Sequence, residues 1–233
     1  MKDIIISYGH STIGGKDTGA KGYESTENVL TRTYLKPYIN KGLKAQGVTY
    51  TNVSEKKKNY VDIKDQWAHG KPTGYRKAIS IHLNAYNNKA VGAGVKTFSK
   101  NFSKGNKLAK AMADVLGTTN RGAEYQNLYM LRKLDYDYLL EPCFCDAKSD
   151  FDKFIDKHEE LAEVIVKFIC DILGKDYSTK TKTVIKDTYP RHENRLASKK
   201  YTKLKKGTIV KVYRETKNWS YTNYNWIYKK RLK

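Results

Sequence analysis

The 233-residue chain carries 45 Lys and Arg against 24 Asp and Glu, a formal charge of +21, with 39% hydrophobic and 12% aromatic residues. That composition excludes an intrinsically disordered chain and allows one sizeable core with a small module beside it. No apolar run approaches the roughly 18 residues of a membrane helix, and the apolar part of the N-terminus is too short for a secretory signal, so neither membrane insertion nor a signal peptide is expected.

In chain order, residues 3–8 (Asp-Ile-Ile-Ile-Ser-Tyr) read as a strand ending at Gly9 and His10. A Gly-rich polar loop runs to Gly19. From near Ser25, the residues Val29, Leu30, Leu35, Ile39 and Leu43 recur at helical intervals. They predict an amphipathic helix that stops before Gly47 and is kinked or divided by Pro37. Residues 48–53 read as a strand, and residues 54–74 as a Lys-rich irregular segment with Trp67 and His69 in its second half. A short apolar strand then delivers His82, and Val95, Lys96, Thr97 and Phe98 read as the next strand.

Leu108, Met112, Val115 and Leu116 mark a helix, Asn120, Arg121 and Gly122 a turn, and Leu128 to Leu131 a short strand. Tyr138, Leu139 and Leu140 form a strand ending at Glu141. A last helix with Leu161, Val164, Ile165, Phe168, Ile169 and Ile172 on its buried face stops at Gly174. Strands alternating with helices predict an α/β fold with a largely parallel sheet.

The polar, aperiodic residues 176–182 read as a linker between a domain of residues 1–175 and one of residues 183–233. The second holds only short β-like pieces near residues 209–213, 219–222 and 226–228, which suggests a small all-β barrel with Trp226 in its core. From Asp176 onward there are 17 Lys and Arg against 4 Asp and Glu, a net +13. Nucleic acid, a membrane surface and anionic cell-wall polymers all carry the charge to match. The signatures of a nucleic-acid reader are missing. Cys143, Cys145 and Cys170 are too few and odd in number for a disulfide framework. Cys143 and Cys145 alternate on a strand-like stretch and face opposite ways, so they read as buried thiols rather than as a metal pair.

Three strands that end in His10, His82 and Glu141 can converge, because sites in open α/β sheets lie beyond the strand carboxyl ends. Hydrolytic zinc sites use three His, Asp or Glu ligands and keep one position open. Glu24, at the start of the first helix, is the preferred third ligand beside His10 and His82. Glu27 is the competitor, since its position also suits a first-turn acid at the helix dipole. Glu141, among Leu139, Leu140, Pro142 and Phe144, is the carboxylate that burial would tune for proton transfer. His69, His158 and His192 sit in polar sequence and read as solvated. By spacing alone, a zinc site and ordinary strand-end histidines remain equally open.

The ordered set Gly9-His10-Ser11, Glu24 with Asn28, Ser80-Ile81-His82-Leu83-Asn84-Ala85, Asn120-Arg121-Gly122, Leu128-Tyr129-Met130-Leu131 and Leu139-Leu140-Glu141-Pro142-Cys143-Phe144 resembles zinc-dependent N-acetylmuramoyl-L-alanine amidases of the family-3 type. The likeness is greatest to those of endolysins from phages of Gram-positive, particularly clostridial, bacteria, and it spans residues 1–175. It implies a twisted, mostly parallel sheet flanked by helices, Zn2+ held by His10, Glu24 and His82, and catalysis by Glu141. Peptidoglycan would be the substrate, cut between N-acetylmuramic acid and L-alanine. A zinc peptidoglycan peptidase or deacetylase and a basic nucleic-acid-binding protein are the alternatives.

Unlike many relatives, Ser11, Thr12 and Ile13 separate the first histidine from Gly14 and Gly15. Arg121 either positions substrate or shapes its turn. The tail, through residues 204–212, Asn218-Trp219 and Asn225-Trp226-Ile227, resembles bacterial SH3-type wall-binding domains, which implies an anionic wall polymer as partner. A lysin of this kind would be made in the host cytoplasm and reach the wall after the membrane is breached.

Overall fold

Strand β1, Ile4–Tyr8, is buried along its entire length, as an apolar strand must be when both faces of a parallel sheet are covered. The computed structural model describes residues 2–55, 77–87, 94–133, 136–177 and 180–233. The stretch with Trp67 and His69, and most of the turn after Tyr86, lie outside them. By internal packing the chain divides into two compact units, Met1–Leu43 with Val48–Gly174, and Lys175–Lys233 with Lys44–Gly47.

In the first unit β1 is joined by β2 (Tyr50–Asn52), β3 (Lys77–Ile81), β4 (Gly94–Ser99), β5 (Thr119–Glu124) and β6 (Tyr138–Glu141). The order is β2-β1-β3-β6-β4-β5, and every pairing is parallel except β4 with β6. The expected mostly parallel α/β sheet is therefore present, flanked by helices. Ile4, Ile5, Ile6, Ile79, Ile81 and Leu140 are fully buried within it.

The first helical run is divided one turn earlier than Pro37 alone suggests. Helix α1 (Glu27–Leu30) passes through a π-helical turn, Thr31–Leu35, into α2 (Lys36–Ala45). Pro37 has no N–H to return to the preceding turn, so the ladder widens just before it. Helix α3 (Phe102–Leu116) starts on Asn101, whose side chain accepts from the Lys104 N–H, and ends at Gly117 in the left-handed conformation. After the short helix α4 (Tyr129–Lys133), helix α5 (Lys148–Leu173) stops at left-handed Gly174, the predicted cap.

Two local expectations are corrected. Leu128 does not open a strand: its carbonyl accepts from Leu131 and Arg132, closing the first turn of α4. A short apolar run carries no period that separates the two states. Asn120, Arg121 and Gly122 are not a turn but the middle of β5, where the register against β4 shifts and Gly122 has φ 72°. A β-bulge uses the same residue types as a turn.

The second unit is a four-stranded antiparallel sheet, β10-β9-β8-β7, formed by β7 (Lys180–Thr183), β8 (Ile209–Glu215), β9 (Trp219–Thr222) and β10 (Asn225–Tyr228). Its core holds Val184, Leu204, Val210, Val212, Ile227 and Leu232. The end of the stretch read as a linker contributes β7, paired from Lys180 opposite Val212 to Thr183 opposite Ile209. Trp219 and Tyr221 are buried, whereas Trp226, expected in the core, is only half-buried.

Gly105 lies in α3 where an added methyl would come 2.8 Å from the Cβ of Ala123 on β5. Gly→Ala in a helix interior ordinarily stabilises by about 1 kcal/mol, but this contact reverses the sign. Thermal melting of Gly105→Ala is expected to give a lower midpoint than the parent; a higher one would show that α3 does not pack this closely on the sheet.

Candidate metal centre

The ladder of the first sheet runs past its strand ends. The Gly9 N–H donates to the Ile81 carbonyl (2.7 Å) and the His82 N–H to the Leu140 carbonyl (2.8 Å). His10, His82 and Glu141 thus sit at the ends of three neighbouring strands, β1, β3 and β6, in fixed register.

Between the two histidines lies the carboxylate of Glu27. Its Oε2 is 3.0 Å from His10 Nε2, and its Oε1 is 2.9 Å from His82 Nδ1. The Leu83 N–H (3.0 Å) and Ala20 N–H (3.1 Å) donate to the same two oxygens. Glu27 is 2% exposed, and the two rings meet edge to face with centroids 5.1 Å apart.

Glu24, the preferred ligand by sequence, is not in this cluster. It lies exposed on a chain reversal closed by the Gly22 N–H to Ser25 carbonyl bond (2.7 Å) and the Lys21–Thr26 bridge, with Lys148 as its charged neighbour. The helix begins only at Glu27, so the first residue able to point inward is Glu27, on the stripe with Leu30, Thr31 and Leu35.

Several residues position this cluster, and among them Asp17 carried no sequence signal of its own. Asp17 Oδ1 lies 2.8 Å from His10 Nδ1, fixing the far edge of that ring. The buried Asn28 amide donates to the carbonyls of Ser11 and Thr12, both at 3.3 Å, and so clamps the loop after His10. Thr12 to Gly15 form a tight turn after His10, closed by the Gly15 N–H to Thr12 carbonyl bond at 2.9 Å. A methyl group on Gly9 would fall on the His82 ring, and one on Gly19 on the His10 ring; at both points the backbone must come this close.

Charge follows from the geometry. Burial opposes ionisation of Glu27, but hydrogen bonds from His10 and His82 outweigh it and hold the carboxyl well below the usual range. Burial likewise disfavours charge on His10; the bonds and charges of Glu27 and Asp17 prevail and raise it to about 9. Glu141 goes the other way. Burial, then repulsion from Glu27, raises it to about 7, with Arg121 and Lys96 pulling back and Glu124 adding to the rise. The Arg121 guanidinium lies 4.8 Å from the centre of the Phe144 ring.

His10, Glu27 and His82 each offer a ligand atom within 4.8 Å of the others, a donor set of the type that holds a metal ion. His82 Nε2 is buried with no hydrogen-bond partner, an imidazole nitrogen not committed to the protein. The residues therefore fit a divalent metal. Beside them opens a cleft of about 780 Å3 lined by Ala20, Lys21, Gly22, Tyr23, Ala85, Asn87, Asp146 and Lys148. Of the other histidines, His192 is exposed as expected, but His158 is half-buried between the rings of Tyr34 and Tyr38.

Residues 4–171 match the N-acetylmuramoyl-L-alanine amidase family, and the chain belongs to that family. Among solved structures it is similar to the catalytic domain of an endolysin targeting Clostridia difficile, at 26% identity and a TM-score of 0.62, over 76% of this chain and 100% of that one. An N-acetylmuramoyl-L-alanine amidase from Clostridium difficile 630 shares the fold at 24% identity and a TM-score of 0.63, over 74% and 97% of the two chains. So does one from Bacillus (Paenibacillus) polymyxa var. colistinus, at 22% and 0.60, over 76% and 100%. No curated protein matches the chain.

Two outcomes follow from this geometry. Glu27→Gln is expected to abolish stoichiometric zinc uptake, whereas Glu24→Gln keeps it, with equilibrium dialysis as the measurement. The second concerns pH. Because the folded Glu141 carboxyl is raised above its ordinary 4.5 to about 7, ionising it costs folding stability as pH rises through that window. Metal-free Glu141→Gln should therefore melt above the parent at pH 8, and the gap should close below about pH 4.5. Equal gaps at both pH values would mean that its surroundings do not raise the Glu141 carboxyl.

Proposed function

We propose that the chain is a zinc-dependent N-acetylmuramoyl-L-alanine amidase that cleaves the amide between N-acetylmuramic acid and the L-alanine of the stem peptide. The observation that carries this reading is the His10–Glu27–His82 cluster, with Glu27 and His82 buried and the two histidines at adjacent strand ends of an amidase-family fold, and with Glu141 on the next strand. Zinc at the cluster would polarise the scissile carbonyl and acidify a water.

His10, Glu27 and His82 are the proposed ligands, oriented by Asp17 and by the Leu83 and Ala20 N–H groups. Glu141 takes a proton from the attacking water and passes it to the leaving amine. With its carboxyl near 7 it exchanges protons readily at neutral pH. Arg121 and Lys96 supply positive charge beside it, which limits how far that shift can go. The nearby cleft would receive part of the substrate. The basic second unit would raise the effective concentration at an anionic wall polymer by tethering, and cell lysis of the endolysin kind is the proposed outcome.

The test is mass analysis of digested wall together with zinc content for the parent, Glu141→Ala and His82→Ala. New L-alanine amino termini with intact glycan support the amidase. New reducing ends, deacetylated sugars or cuts inside the peptide would falsify it. Glu141→Ala should keep zinc and lose turnover by at least ~100-fold, and His82→Ala should lose both.

A further inference from the structure

We infer that Arg32 is a positioning residue of the metal centre, its buried guanidinium holding the backbone of His10 in the left-handed conformation that turns this ring onto Glu27. The inference rests on the reading of His10, Glu27 and His82 as a metal centre. Arg32 is 6% exposed, in the π-helical turn that follows α1. Its Nη1 donates to the Gly9 carbonyl (2.9 Å) and the Asn28 carbonyl (3.1 Å); its Nη2 donates to the carbonyls of Tyr8 (3.1 Å) and His10 (3.2 Å).

Three consecutive carbonyls, those of Tyr8, Gly9 and His10, therefore meet one cation. In a continuing strand successive residues face opposite ways, so this convergence requires the chain to leave the extended conformation where β1 ends. It does so at His10, whose φ is 63°. For a residue with a Cβ that conformation is strained, and it persists only where surrounding contacts enforce it. The planar fork of a guanidinium spreads five donors over three nitrogens and here meets four carbonyls from two of them, whereas an ammonium has three donors on a single atom and cannot span the same set.

One helical run thus carries both parts of the device. Glu27 brings its carboxylate to the His10 ring, and Arg32, five residues on, grips the His10 backbone. Because the ring and its carbonyl are joined through one Cα, losing the grip releases the ring from the register that Asp17 and Glu27 share.

The test uses the full-length protein. Zinc affinity is measured by competition with a chromophoric chelator, and the visible spectrum is recorded after cobalt substitution, for the parent, Arg32→Lys and Arg32→Met. A control, Ile169→Ala in α5, also destabilises a fully buried core position. Loss of a partner that orients a metal ligand ordinarily weakens metal binding ~10–100-fold. Arg32→Lys is expected to fall in that range with a shifted cobalt spectrum, Arg32→Met to fall further, and Ile169→Ala to lower the melting temperature with neither change. Arg32→Lys keeps the charge and is the variant that decides the matter if Arg32→Met does not fold. Parent-like affinity and spectrum in Arg32→Lys, with only a lower melting temperature, overturn the positioning role while leaving the metal centre intact. Absence of zinc binding by the parent would sink the metal centre itself.

Discussion

The carboxylate of Glu27 takes four donors at once, two imidazole nitrogens and two backbone N–H groups, with almost no access to water. A buried carboxylate is stable only if its lone pairs are used, and here the partners come from parts of the chain far apart in sequence. His10 follows β1, His82 follows β3, Ala20 lies in the loop before α1, and Leu83 is one step past His82. Sheet register, the Gly-rich loop and the late start of the helix must all be correct together for this ion to be satisfied. The glycines at positions 9 and 19 belong to the same constraint, since any side chain there would enter the space of the cluster.

A second carboxylate, a strand away, is treated in the opposite manner. Glu27 is flanked by hydrogen-bonding imidazoles and is held ionised; Glu141, half-buried at the end of β6 without such a partner set, is pushed toward neutrality by partial loss of water and by the same Glu27 charge. Two acids whose environments drive their proton affinities apart are suited to different tasks, one a fixed anion and one a proton carrier. The sheet topology makes this possible. β4 runs antiparallel to β6 and sets Lys96 opposite Glu141, so positive charge stands beside that carboxyl.

The second unit is organised by a different balance. Its few acids are shared among several lysines: Asp187 lies near Lys203 and Lys205, and Glu215 near Lys182 and Lys229. Those pairs are exposed or half-exposed and contribute little to stability individually. Cohesion comes instead from the apolar core around Val184, Val210 and Ile227, and most of the basic excess remains uncompensated on the surface.

Much of this was readable from the chain. The β-branched run Ile4, Ile5 and Ile6, closed by Gly9, favours a buried strand, and the stripe through Leu161, Ile165 and Ile169 has the period of a helix face. The amino acids themselves determined that β1, β3 and β6 would end in His10, His82 and Glu141. What they could not determine was where a bend would stop and a helix begin. That depended on the chain reversal at residues 22–25, whose hydrogen bonds leave Glu24 at its tip and Glu27 as the first inward residue. The role of Arg32 was equally hidden, because in sequence it is one more basic residue among 45. Only the tertiary structure sets three carbonyls against it, since the partners of a buried cation are chosen by the packing of a helix on a strand end rather than by anything local to the cation.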